Sequence, residues 1–148
     1  MHTHAYTRAG AAGPGGGVAV QVLHANNVGL LRLREALQLR ALVAQEWREA
    51  QRTAHAISQV YTRVYPAASP AAALQSALEG KIAVFLARGS RLGGGAGGRG
   101  ELQDALVRLR RGQEDVRRSF GGRHRVVEAV DRLVLEVSLT LAGHGTLA

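Results

Sequence analysis

The stretch Val43–Val64, VAQEWREAQRTAHAISQVYTRV, decides the fold class of this chain. Within it Val43, Trp47, Ala50, Ala54, Ile57, Tyr61 and Val64 fall alternately four and three residues apart. Residues at those offsets stack on one face of an α-helix and leave a narrow apolar stripe flanked by Arg, Glu and Gln. A stripe of this kind needs a partner helix, from this chain or another, and the seven residues are the candidate interface.

Working outward, the helical pattern runs from about Val28 to Tyr65, with Leu30, Leu33 and Leu37 leading into the seam. Asn26-Asn27 before it supplies an N-cap, and Pro66 ends it because the proline ring restricts the preceding turn. Ser69 and Pro70 then form a second start signal, and Leu74, Leu78, Ile82 and Phe85 carry an apolar stripe to about Ala87, with Gly80 as its weak point. This pair reads as an αα-hairpin over residues 18–88. Residues 89–100 hold seven glycines and read as a linker. A C-terminal helical pair follows over 101–142, with Leu102, Leu106, Leu109, Val116 and Phe120 at heptad offsets in its first helix and Gln113 in a polar slot. Its last segment fits a helix through Val126, Val130, Leu133 and Val137, although Leu133, Leu135, Val137, Leu139 and Leu141 also alternate as a strand would. Residues 1–17 and 143–148 read as tails, the first rich in glycine and disordered; Val18, Val20 and Val22 carry a short β-like alternation. The expectation is an all-α protein of three or four helices, of coiled-coil or bundle type.

Composition narrows the function classes. At 148 residues and 46% hydrophobic the chain makes about one domain, and its few aromatics leave a core of Leu, Val and Ala suited to helix–helix packing. With no cysteine there is no disulfide framework, thiolate metal site or thiol nucleophile. No apolar run approaches the roughly 20 residues that span a bilayer, and the N-terminus lacks the apolar segment of a secretory signal, so a cytoplasmic location is expected.

The net charge is +8, and of 19 lysines and arginines only Lys81 is a lysine. Such a balance raises nucleic acid or an anionic surface as a partner. Arg91, Arg99, Arg108, Arg110, Arg111, Arg117 and Arg118 are the candidate contacts, in and after a glycine-rich stretch that resembles a short Arg-Gly segment. Against that reading, Asp104, Glu114 and Asp115 interrupt the field and no aromatic stands among the arginines to stack on bases. Gly93, Gly95 and Gly98 match the spacing of a dinucleotide-binding fingerprint, but too little chain follows to complete a doubly wound sheet. The six histidines show no metal-ligand spacing, the serines no nucleophile elbow and the carboxylates no acid/base pair. No cofactor or metal is expected, and the chain reads as non-enzymatic.

Val22-Leu23-His24-Ala25-Asn26-Asn27, followed by Leu31-Arg32-Leu33-Arg34-Glu35, resembles the helix opening of small coiled-coil subunits in the BORC and BLOC lysosome-related complexes. Ile57 through Tyr65-Pro66-Ala67-Ala68 is similar to the way the KxDL-motif family closes its long helix, while the Lys-x-Asp-Leu signature itself is absent. The resemblance implies a subunit of a larger complex. The expected function is therefore a helical scaffold or adaptor that assembles with protein partners, as a homo- or hetero-oligomer, with a basic RNA- or anion-binding module as the alternative.

Overall fold

A computed structural model describes residues 27–66, 68–92 and 98–143 and places five helices among them: α1 (Val28–Val43), α2 (Trp47–Val64), α3 (Pro70–Leu92), α4 (Gly98–Phe120) and α5 (Arg125–Gly143). No strand occurs among the described residues. The fold class is all-α as expected. The expected tail at 1–17, the Val18–Val22 alternation and the centre of the glycine-rich stretch, 93–97, lie outside the described residues, as does the expected tail at 143–148 apart from Gly143, which ends α5.

The expected long helix from Val28 to Tyr65 is two helices. Asn27 starts the first, its Oδ1 accepting from the backbone N–H groups of Gly29 at 2.9 Å and Leu30 at 3.2 Å. The break comes at Ala44–Glu46. Glu46 N–H donates to the Ala41 carbonyl at 2.8 Å and Gln45 N–H to that of Leu42 at 3.2 Å, with Gln45 held at φ 57°. These paired bonds form a Schellman stop, which usually carries glycine at the left-handed position. Glutamine there gives no warning in the sequence. The turn folds α2 back on α1 and brings Ala41 and Ala50 into one buried cluster with Ala54 and Ile82. At the far end α2 stops before Pro66 as expected, Tyr65 being extended at φ −104°, ψ 146°.

The glycine-rich stretch is also shorter than its composition implies. Residues 89–92 continue α3 and 98–100 open α4. These two helices form the most intimate contact of the protein, antiparallel and backbone to backbone. A Cβ on Gly80 would stand 2.6 Å from Leu109 Cα, and one on Gly112 would stand 2.6 Å from Ala77 Cα. Gly80 is thus the point of closest approach and not a weak point. Ala73, Ala77, Val84 and Ala87 of α3 meet Leu102, Ala105, Leu109 and Val116 of α4 along this ridge, all of them buried. Leu74, placed by periodicity on the core stripe, is 42% exposed instead.

The last segment is a helix. α5 packs Val127 against the Ala73–Val116 end of the ridge and Val137 against its Ala87–Leu102 end. On the other flank α2 is tied to α3 by Gln75 Nε2, which donates to the buried Ala54 carbonyl at 3.1 Å, and by the Trp47–Phe85 stack, with centroids 4.6 Å apart. Each helix packs on its sequence neighbour, so α1 and α5 form the two ends of the array.

Candidate functional site

The heptad seam is divided between core and surface. Ala50, Ala54 and Ile57 have no exposed area and are buried inside this chain. Trp47 is partly buried against Phe85, whose ring also lies 5.9 Å from Lys81 Nζ. Tyr61 turns towards α1 and donates from its hydroxyl to Glu35 Oε1 at 2.5 Å. Burial first, and then the Glu35 carboxylate, raises the Tyr61 phenol well above the usual tyrosine range. Val43 and Val64, at the seam's two ends, are 78% and 53% exposed. The stripe therefore closes largely on the protein's own helices.

Besides Leu74 on α3 and Val107 on α4, the large aliphatic residues left exposed outside the seam lie on the two end helices. On α1, Leu33, Leu37, Leu39 and Val43 are exposed, as are Leu135 and Leu139 on α5. Each forms an i, i+4 pair with a neighbour, which places the two side chains one above the other on the helix surface. The inner side of α1 packs Leu42 against the buried Ala41–Ala50 cluster. Its buried residues are Ala41 and Gln38, and the Gln38 amide Nε2 has no hydrogen-bond partner. A buried, unpaired amide donor costs about 1–3 kcal/mol. α1 thus leaves four large aliphatic side chains in solvent while Gln38 is buried.

A second feature is an open groove floored by α3 and walled by α2 and α4. One section, of about 760 Å³, is lined by His55, Ser58, Tyr61 and Tyr65, by Ser76 and Glu79, and by Arg108, Arg111, Glu114, Asp115 and Arg118. The other, of about 430 Å³, is lined by Arg48, Arg52, Glu101, Asp104 and Arg108. Glu79 is the best-held group in it, accepting from Ser58 Oγ at 2.7 Å and lying 3.2 Å from His55 Nδ1. Because the serine hydroxyl is committed to the carboxylate and not to the imidazole, the trio lacks the nucleophile–base order of acyl-transfer sites.

The sequence-derived arginines do not converge. Arg108, Arg111 and Arg118 line the groove, Arg118 lying 3.7 Å from Asp115. Arg117 faces α5 and donates to Asp131 Oδ2 at 2.9 Å; that bond holds the Asp131 carboxyl below its ordinary range despite partial burial, with help from Gln113 Nε2 at 2.7 Å. Arg99 and Arg110 are exposed on α4 away from the groove lining, and Arg91 belongs to the last turn of α3. Among the described residues no group of histidines and carboxylates is placed to hold a metal ion, and no helix is long and apolar enough to cross a membrane.

No family model, curated protein or solved structure matches the chain. Its reading therefore rests on sequence and geometry. Of the exposed aliphatic residues, Leu33, Leu37 and Val43 were expected on or next to the seam, Leu135 and Leu139 entered only the strand-like alternation, and Leu39 was not singled out. The signal that was present is the density of leucine and valine in VGLLRLREALQLRALV, too apolar all round for a helix that packs on one side only.

Proposed function

We propose that this chain is a non-enzymatic helical scaffold or adaptor subunit that assembles through helix–helix packing. The observation that carries this reading is the exposed aliphatic surface of α1, where Leu33, Leu37, Leu39 and Val43 stand in solvent while Gln38 is buried. Burying a large aliphatic side chain is worth about 1.5–3 kcal/mol, so a helix laid on this face gains from several at once. The interface is reassigned accordingly, from the Val43–Val64 seam to the outer faces of the end helices. Val43 belongs to both.

The groove arginines support the RNA- or anion-binding alternative less well. Arg48, Arg52, Arg108, Arg111 and Arg118 share their groove with Glu79, Glu101, Asp104, Glu114 and Asp115, so the field there is balanced.

Light scattering coupled to size exclusion, at two protein concentrations and at low and high salt, tests the assembly reading. A mass above the 15.7 kDa of one chain that rises with concentration and survives high salt is expected. A particle of one chain under all four conditions overturns it and leaves the arginine surface as the lead.

A further inference from the structure

The geometry points to a nucleotide site at the Tyr65 end of the groove between α2 and α4, with the base on the tyrosine side and the phosphate on the arginine side. It stands apart from the assembly reading, because this groove is walled by α2 and α4 and not by the outer faces of α1 and α5.

Two properties of the walls select this ligand. The first is that folding supplies what the order of residues withholds. Along the chain no aromatic stands among the arginines, but Tyr61 and Tyr65 at the end of α2 line the same section as Arg108, Arg111 and Arg118 of α4. Tyr61 is fixed by its bond to Glu35, and the two tyrosine rings meet edge to face, with centroids 5.0 Å apart and planes at 76°. Tyr65 is left 40% exposed. An exposed ring held in place is a stacking platform for a base, and the guanidinium fork matches phosphate oxygens.

The second is how charge divides across the groove. The α2 wall of this section holds no carboxylate, lysine or arginine; it offers the Gln59 amide oxygen and the Tyr65 hydroxyl, neither with a partner among the described residues. The α4 wall holds three arginines against Glu114 and Asp115, and Asp115 lies 3.7 Å from Arg118. Arg108 and Arg111 have no carboxylate within ion-pair distance among the described residues. Glu79, the remaining carboxylate, lies on the floor with its side chain 20% exposed and is turned to Ser58 and His55 of α2. Glu101 and Asp104 line the other section, beyond Arg108, and repel an anion there, which sets the site at the tyrosine end. A ligand that spans the two walls therefore carries negative charge at one end and a flat, uncharged, hydrogen-bonding group at the other. The volume of about 760 Å³ lies within the range of about 300–1,000 Å³ usual for small-ligand sites.

Isothermal titration of the full chain with adenosine monophosphate and with a short single-stranded oligoadenylate tests the site. Both probes are expected to bind, more weakly as salt rises. Tyr65→Ala and Arg111→Gln should each weaken binding by about tenfold, while Tyr65→Phe retains it. Glu114→Gln should tighten it, because the carboxylate of the α4 wall that no arginine holds is gone. Arg110→Gln is the control: it removes an exposed arginine of α4 outside the groove lining and should leave adenosine monophosphate binding unchanged. Tighter binding of the oligonucleotide identifies the nucleotide as part of a strand, and equal or weaker binding identifies a free nucleotide. The site is overturned if neither probe binds, if Tyr65→Ala keeps full affinity, or if Arg110→Gln and Arg111→Gln lose equally. Inorganic phosphate that competes as well as adenosine monophosphate also overturns it, since the base then adds nothing. Should Tyr65→Ala lose its helical circular dichroism, the comparison of Arg111→Gln with Arg110→Gln decides.

Discussion

Two glutamines, one within α1 and one in the turn that follows it, show how individual residues set the stability of this protein. Gln45 holds a left-handed backbone conformation at φ 57° without the freedom of glycine. An L-residue with a Cβ is disfavoured there by about 1–2 kcal/mol, part of which glycine gives back through its more flexible unfolded chain. Gln45→Gly should raise the urea midpoint by an amount worth about 1 kcal/mol, and a lowered midpoint would show that the side chain has a stabilising role of its own. Gln38 is the second case, 5% exposed with its amide donor unsatisfied. Gln38→Leu keeps most of the volume and removes the unpaired group, so stability should rise by about 1 kcal/mol in the same titration. An unchanged midpoint would mean that the amide is satisfied in solution.

Between elements, the α3–α4 contact depends on two residues that have no side chain. Gly80 and Gly112 allow the helix backbones to meet, and the alanines around them keep the ridge low. Gly112→Ala places a methyl group against Ala77 Cα at 2.6 Å, where only a shift of one helix can relieve it. A loss of about 1–3 kcal/mol is expected, as for other overpacked cores. Gly89 provides the control. It lies in the same helical hairpin, yet a Cβ there meets nothing within 4 Å. Gly89→Ala should therefore stabilise the protein by up to about 1 kcal/mol, through helix propensity alone. Equal effects at the two positions in thermal melts would refute the close-approach account.

For the molecule as a whole, the order of the helices determines what is left for a partner. α2, α3 and α4 each find neighbours on two sides, whereas α1 and α5 close the series with leucines outward. Association is expected from the outer faces of these two helices and not from the seam. Ala50, Ala54 and Ile57 are wholly buried within the monomer, so Ile57→Asp should unfold the chain, whereas Leu33→Asp with Leu37→Asp should leave it folded and release it from assembly. Circular dichroism read beside the light-scattering mass separates the two outcomes.

Periodicity, capping and proline placement determined that the chain is helical, where α1 begins at Asn27, where α2 stops before Pro66 and where α3 starts at Pro70. These signals are local: each depends on the backbone geometry of one residue and its near neighbours. The helical nature of the last segment was legible only as the better of two patterns. The break at Gln45, the merging of most of the glycine-rich stretch into α3 and α4, and the Gly80–Gly112 contact were decided by tertiary structure. Each reflects a gain shared with residues distant in sequence: Ala41 meeting Ala50, or Ala77 meeting Gly112. For the same reason the seam residues became core and the neighbouring leucines became surface. A helix can carry apolar residues on every side, and only the number of neighbours it finds determines which of them remain exposed.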